Sequence, residues 1–136
     1  MAGFSRTDGW VLCSIAMATP ERASLREIVG TADMLNASLL TLAEINSSIA
    51  RLHAAGLVRV DDRLLSVSPE VRSFLAGCKD IPARVVCWEK VPAYLASLEI
   101  PEPVLSEDIF TSAELAAAEK LYRKEVSAAL RRLRSR

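Results

Sequence analysis

Few residues in this sequence have the types and spacing that catalysis or metal binding requires. Among the 136 residues there is one histidine, His53, and there are three cysteines, Cys13, Cys78 and Cys87. A zinc site would need all three cysteines to converge on His53, which their wide spacing does not favour. The sequence contains no glycine-rich phosphate loop and no nucleophile motif. We therefore expect no enzyme, no metal site and no cofactor, and we expect buried free thiols of the kind found in a reducing compartment.

The side chains best suited to a binding role are three arginines and a serine. Ser47 and Arg51 fall on or beside the solvent face of a predicted helix, while Arg59 and Arg63 belong to a predicted hairpin. Guanidinium and hydroxyl groups donate hydrogen bonds to phosphates and base edges. These four residues are therefore candidates for contacts with double-stranded DNA.

The same surface also has features that favour a different partner. The hairpin tip carries Asp61 and Asp62, and a phosphate backbone repels carboxylates. Three small side chains share the outward face of the helix: Ala43, Ala50 and Ala54. Small residues let another helix approach closely, so these alanines are candidates for an interface with the C-terminal segment or with a second subunit. DNA contact and protein contact are both open at this point.

Composition and charge describe a globular chain without strong electrostatic character. Hydrophobic residues make up 51% of the sequence, and 17 basic residues balance 17 acidic ones. No apolar run reaches the ~18 residues of a membrane span, and residues 1–8 do not resemble a signal peptide. We expect a cytoplasmic protein that does not contact a membrane. Residues 119–136 alone are basic, with a net charge of +5, which suits phosphate, an acidic partner or simply a helix C-terminus.

Local signals predict three helices, then a hairpin and a fourth helix. The first helix covers residues 8–18, and the second starts at Ser24 and ends near Asn36. The third starts at Thr41 and ends at Gly56, which suits a C-cap. Ser24 with Glu27 and Thr41 with Glu44 have the spacing of capping boxes. Strands at 57–60 and 64–67 and a helix at 69–76 follow.

The C-terminal part is predicted to be helical as well. A helix over residues 83–98 contains Pro92, which should kink or split it. Residues 100–110 are expected to form an extended linker. A last helix from Thr111 to about residue 133 has an apolar stripe formed by Leu115, Ala118, Tyr122, Val126, Leu130 and Leu133.

Three helices followed by a two-stranded wing is the order of a winged helix-turn-helix domain. The sequence resembles MarR-like winged-helix proteins and an uncharacterised bacterial family. The resemblance rests on Ala-Asp-x-x-Asn at 32–36, Thr-x-x-Glu at 41–44 and Leu-x-x-Ala-Gly-Leu at 52–57. We therefore predict a mainly α protein, with a winged helix-turn-helix domain at 7–77 and a helical extension at 78–136.

The resemblance covers about half of the chain and implies a function. It implies a DNA-binding transcriptional regulator in which Ser47, Arg51, Arg59 and Arg63 contact DNA. It also implies a homodimer formed through helices that flank the domain, with Leu115 and Tyr122 as interface candidates. The alternative is a winged-helix module that binds protein and not DNA.

Overall fold

The computed structural model describes residues 3–18, 21–101 and 108–135 and consists mainly of helices with one antiparallel hairpin. This confirms the mainly α prediction. The elements are, in chain order, α1 (Arg6–Ala18), α2 (Leu25–Asn36), α3 (Leu42–Ala54), β1 (Val58–Asp61), β2 (Leu64–Val67), α4 (Pro69–Ala76), α5 (Ala83–Val85), a π-helical turn (Val86–Lys90), α6 (Val91–Ala96) and α7 (Ser112–Arg134).

Capping side chains fix where the helices begin. Ser24 caps α2 and Thr41 caps α3, each forming the reciprocal capping box with the glutamate three residues later. Thr111 and Glu114 form a third capping box at α7. Such boxes satisfy two amides of the first turn that have no partner within the helix. The predicted starts of these three helices are therefore confirmed.

Helix α2 ends at Asn36, as predicted. The residue that follows, Ala37, adopts the left-handed conformation with a φ of 49°. The amide of Ala37 donates to the carbonyl of Asp33 at 2.6 Å, and this bond closes the helix. Gly56, after α3, has the expected positive φ, 74°.

The hairpin is short and connects to a segment from earlier in the chain. Val58 pairs with Val67 and Asp61 with Leu64, and Asp62 in the turn has a φ of 57°. The backbone of Leu65 also exchanges two hydrogen bonds with Ala23, of 2.7 and 2.9 Å. The segment that precedes α2 is thereby fixed beside β2.

Helix α1 lies at the centre of the fold, with residues 8–15 all buried. It packs against α2, α3, β2 and the π-helical turn. The indole nitrogen of Trp10 donates to the carbonyl of Ala32 at 3.0 Å, joining α1 to α2. Burial on most sides is consistent with the nearly continuous apolar sequence of this helix.

The predicted helix at 83–98 is continuous from residue 83 to residue 96 and contains a π-helical turn directly before Val91 and Pro92. A π-helical turn ends where Val91 donates to the carbonyl of Val86, and α6 then begins with Pro92 in its first turn. Proline has no amide hydrogen to donate, which explains why the α-helical hydrogen-bond pattern is interrupted here. This segment packs on the same core as the helices before it, and Tyr94 stacks on Phe74 of α4 at 4.5 Å. Part of the predicted linker, residues 102–107, lies outside the described residues.

Candidate functional site

The exposed face of α3 presents little that could bind a ligand. Ala43 and Ser47 are exposed, whereas Ala50 and Ala54 are half-buried. Ser47 is therefore the one polar side chain among these four predicted site residues. One hydroxyl group and three alanine methyl groups offer few donors for base edges or phosphates.

Arg51 was predicted to contact DNA beside this face, but its side chain binds another residue of the same chain. Its guanidinium contacts the carboxylate of Asp8 through Nε at 3.0 and 3.1 Å and through Nη2 at 2.7 Å. The side chain of Asp8 has no exposed surface. A buried carboxylate needs such a partner, since an unpaired charge in the interior is costly. The expectation that Arg51 contacts DNA conflicts with this structural role.

Further donors complete the surroundings of Asp8. The hydroxyl of Ser48 donates to Oδ1 at 2.7 Å, and the amide of Ser5 donates to Oδ2 at 2.8 Å. The network therefore ties the first turn of α1 to the middle of α3. Sequence reasoning missed it, because Asp8 and Arg51 are 43 positions apart and no local pattern links them.

The two hairpin arginines differ in their surroundings. Arg59 on β1 is exposed. Arg63 in the turn donates to the carbonyl of Ile109 at 2.6 Å and lies 3.2 Å from the carboxylate of Glu114 at the start of α7. Arg63 thus links the hairpin to the C-terminal helix, while 58% of its side-chain surface remains exposed.

Asn46 of α3 makes a second link to the C-terminal segment. Its side-chain nitrogen donates to the carbonyl of Phe110 at 3.0 Å, and its oxygen accepts from the amide of Phe110 at 3.1 Å. Both residues are buried. These bonds place the chain that leads into α7 against α3, so part of the α3 surface is covered from within the molecule.

The two predicted dimer contacts on α7 are used inside the chain. Leu115 is 9% exposed and belongs to the core. The hydroxyl of Tyr122 donates to the carboxylate of Asp33 on α2 at 2.7 Å. A Cβ added at Gly30 would lie 3.0 Å from the ring of Tyr122, so the ring rests directly on the α2 backbone. Leu115 is therefore used within the chain, and Tyr122 is half-buried against α2, so both residues serve the packing of α7 on the body of the protein.

The apolar stripe of α7 continues beyond this contact. Tyr122 meets Gly30 and Asp33, and Glu125 forms an ion pair with Arg26, so α7 runs antiparallel to α2. Residues 126–135, which we call the distal segment, therefore continue past the first turn of α2 over ~15 Å. Three apolar side chains of the distal segment are exposed: Val126 (39%), Leu130 (49%) and Leu133 (64%).

The distal segment is also strongly basic. It contains Arg131, Arg132 and Arg134 and no acidic residue. A groove along α7 is lined by further cationic side chains, among them Lys120, Arg123 and Lys124. At 100° per residue, most of these cations lie beside or opposite the apolar stripe. The helix thus has an apolar side and a basic side, both accessible to solvent.

The three cysteines are buried and form no disulfide. The pKa of the Cys13 thiol on α1 is raised well above its ordinary value by its hydrogen bond with Cys87 of the π-helical turn and then by burial, so this thiol stays protonated. The same hydrogen bond lowers the pKa of Cys87. Within the described residues, no group of three or more histidine, cysteine, aspartate or glutamate side chains could hold a metal ion.

Comparison with protein-family models, curated proteins and solved structures gave no match to this chain. In the described part of the chain, no helix has the combination of length and hydropathy that crossing a bilayer requires.

Proposed function

We propose that this chain is a winged-helix domain that acts as a protein-interaction module, with the distal segment of α7 as its docking element. The winged-helix assignment is supported by the element order, three helices and then a hairpin. It is also supported by the segment at Ala23, which bonds to β2 and extends the hairpin by one short strand-like segment.

One observation carries the proposed function, namely that the apolar stripe of α7 is buried on α2 only as far as Tyr122 and is exposed from Val126 onwards. Val126, Leu130 and Leu133 have the i, i+4, i+7 spacing by which an amphipathic helix enters a groove on another protein. An apolar stripe that extends from the body of a domain has a marked tendency to be covered by a partner.

The DNA-binding hypothesis has weaker support from the geometry than the protein-interaction function has. Of its four candidate residues, Arg51 is bound to Asp8 and Arg63 to Ile109 and Glu114. Ser47 and Arg59 remain exposed. Two such residues neutralise little phosphate charge, and phosphate contacts supply most of the nonspecific affinity for DNA.

A duplex titration tests the choice between the two functions. The full chain is titrated against fluorescent mixed-sequence duplex DNA at rising salt, together with Arg59→Ala. We expect weak binding. We also expect the Arg59→Ala variant to show the same dependence of binding on salt concentration as the unchanged chain. Tight binding with a steep salt dependence that Arg59→Ala reduces would favour a DNA-binding regulator and overturn the proposal.

Photo-crosslinking tests the docking element itself. A benzophenone amino acid replaces Leu130 in one variant and Leu121 in the other, in cells that produce the protein. The two leucines are equally exposed, at 49% and 50%, but lie nine residues apart and hence on opposite sides of the helix. We expect protein adducts from position 130 and few from position 121; equal labelling, or no adduct at 130, contradicts the proposal.

A further inference from the structure

A groove on the surface of the protein lies between the end of α1, helix α4 and the start of α5. Its volume is about 460 Å³, which falls within the usual range for small-molecule sites. We call it the α4 groove. None of the described residues that line it belongs to α7. It is therefore separate from the docking element proposed above.

The walls of the α4 groove are apolar. Met17, Leu75 and Ile81 are half-buried at its sides, and Cys78 and Val86 are 8% and 3% exposed at its floor. A ligand that covered the half-buried side chains would remove their remaining apolar surface from water, which favours binding. The groove thus has the character of a site for an apolar group.

Two cations border these walls. Arg72 lies on α4 three positions before Leu75 and hence on the same side of the helix, and Lys79 follows the end of the helix. The side chain of Arg72 donates to the carbonyl of Glu21 at 3.1 Å, which fixes it beside the groove. None of the ion pairs within the described chain includes Lys79. The described lining contains no acidic residue that would offset the two charges.

Apolar walls with a basic border match an amphiphile that has an anionic head. Apart from Arg72 and Lys79, no described lining side chain carries a nitrogen or oxygen atom. A sugar or a nucleobase in this groove would lose its hydrogen bonds to water without replacement, and that loss disfavours binding. An alkyl chain has no such requirement, and a carboxylate at its end forms a charge-assisted hydrogen bond with a lysine.

The α4 groove is small for a protein partner, including a second copy of this chain. A stable protein interface contains about 20–30 residues on each side. Ten described residues line the α4 groove, which is half of that number or less. Its size therefore favours a small molecule.

We propose that the α4 groove binds a small amphiphile with one alkyl chain and a carboxylate head, such as a medium-chain fatty acid. The alkyl chain lies against Met17, Leu75 and Ile81. The carboxylate binds Lys79, and the charge of Arg72 adds to the attraction. This site goes beyond the proposed protein-interaction function and does not depend on it.

Displacement of a fluorescent fatty acid tests the chemistry of the ligand. Dansylated undecanoic acid is titrated into the full chain and is then displaced with decanoate, octanoate or decanol. We expect octanoate to bind about tenfold more weakly than decanoate, because two fewer methylene groups are buried. We expect decanol to bind about tenfold more weakly as well, because it has no charge for Lys79. Equal displacement by decanol and decanoate overturns the assignment of a carboxylate.

Matched variants at two alanines test the location of the site. Ala83 and Ala93 are both exposed and lie in the first turns of α5 and α6, and of the two it is Ala83 that lines the groove. Ala83→Trp fills the groove and is expected to weaken decanoate binding by about tenfold or more. Ala93→Trp is expected to change it less than about twofold. Circular dichroism confirms that each variant folds before it is used.

Matched variants at two lysines test the role of the charge. Lys79→Gln is expected to weaken decanoate binding by about fivefold or more and to leave decanol binding within about twofold. Lys90 is also exposed but is not among the described residues that line the groove, so Lys90→Gln should leave both unchanged. Equal effects of the two variants on decanoate binding would show that Lys79 does not hold the head.

The remaining outcomes are equally decisive. Absence of saturable decanoate binding, or binding that Ala83→Trp leaves unchanged, overturns the proposal. Self-association in the ultracentrifuge that Ala83→Trp abolishes assigns the groove to a second copy and also overturns it. The proposed function of the distal segment stands in each case, because crosslinking from position 130 measures it separately.

Discussion

Arg51 of α3 holds the carboxylate of Asp8 of α1 through three hydrogen bonds of 2.7 to 3.1 Å. The carboxylate is fully buried and the arginine side chain is one-third exposed. The arginine therefore supplies the positive charge that allows Asp8 to remain in the interior beside Ser48. This pair makes Arg51 a structural residue whose guanidinium group is bound to Asp8.

Loss of this arginine should destabilise the protein. Because Arg51→Ala leaves the buried Asp8 carboxylate without its cation, we expect it to lower the free energy of unfolding by about 2–4 kcal/mol, reduced somewhat for partial exposure. Urea denaturation followed by circular dichroism measures the change. Arg59→Ala, at an exposed position of the hairpin, should shift it by no more than about 0.5 kcal/mol. Equal effects of the two variants would show that Asp8 does not depend on Arg51.

The local structure of this chain was largely predictable, because its signals lie within a few residues of each other. The capping boxes at Ser24, Thr41 and Thr111 need only a glutamate three positions later, and each marks the start of a helix. Pro92 likewise interrupts the α-helical hydrogen bonding for a reason local to one residue, its missing amide hydrogen. Hairpin strands and the positive φ of Gly56 follow from equally short patterns.

The candidate site was predicted less well, because its side chains are fixed by contacts between distant parts of the chain. A helical wheel places Arg51 at the border of the outward face but does not reveal that the first turn of α1 covers it. Arg63 binds Ile109, which is 46 positions further along the chain, and Asn46 binds Phe110, which is 64 positions further along. Both partners lie in the segment that precedes α7. No periodicity in the sequence encodes these pairings.

Asn46 should be essential for placing the chain that enters α7. Asn46→Asp keeps the size of the side chain but loses the amide donor to Phe110, so a buried carbonyl loses its partner. We expect a loss of about 1–3 kcal/mol in the free energy of unfolding. The exposed neighbour Ser47→Ala serves as the control in the same denaturation experiment. A loss no larger than that of Ser47→Ala would contradict the role given to Asn46.

Gly30 should be required for the contact between α2 and α7. Gly30→Val places a branched side chain where even a Cβ would lie 3.0 Å from the Tyr122 ring, so α7 should be displaced. We expect a loss of about 1–3 kcal/mol from overpacking and faster tryptic cleavage after Lys120 and Arg123. Gly3→Val, where no atom lies within 4 Å of the added Cβ, should leave both measurements unchanged. Unaltered cleavage in Gly30→Val would show that α7 does not depend on this contact.

The buried thiols should be unreactive in the folded protein. All three cysteine side chains are buried, which keeps the reagent from their sulfur atoms. The thiolate is the reactive form of cysteine, and in Cys13 the hydrogen bond to Cys87 and burial raise the pKa of the thiol, whereas the same hydrogen bond lowers the pKa of Cys87, so burial is what protects Cys87. We expect Ellman's reagent to detect three thiols in denaturing guanidinium chloride and almost none in native buffer. Rapid reaction of a thiol in native buffer would contradict this expectation. The same measurement on Cys78→Ser would then show whether the reactive thiol is Cys78 or belongs to the pair Cys13 and Cys87.

Tyr122 should titrate at unusually high pH. Its hydrogen bond to the Asp33 carboxylate, followed by burial and the charge of Asp33, raises the pKa of Tyr122 to about 12. The neutral phenol is thus favoured in the folded state, and its stabilising effect is complete below the ordinary pKa of about 10 and lost between about pH 10 and pH 12. Tyrosinate absorbance of the chain minus that of Tyr122→Phe isolates this titration from that of Tyr94. Asp33→Asn should move it towards the ordinary value, and a titration that stays near pH 12 in that variant would show that the Asp33 carboxylate is not the cause.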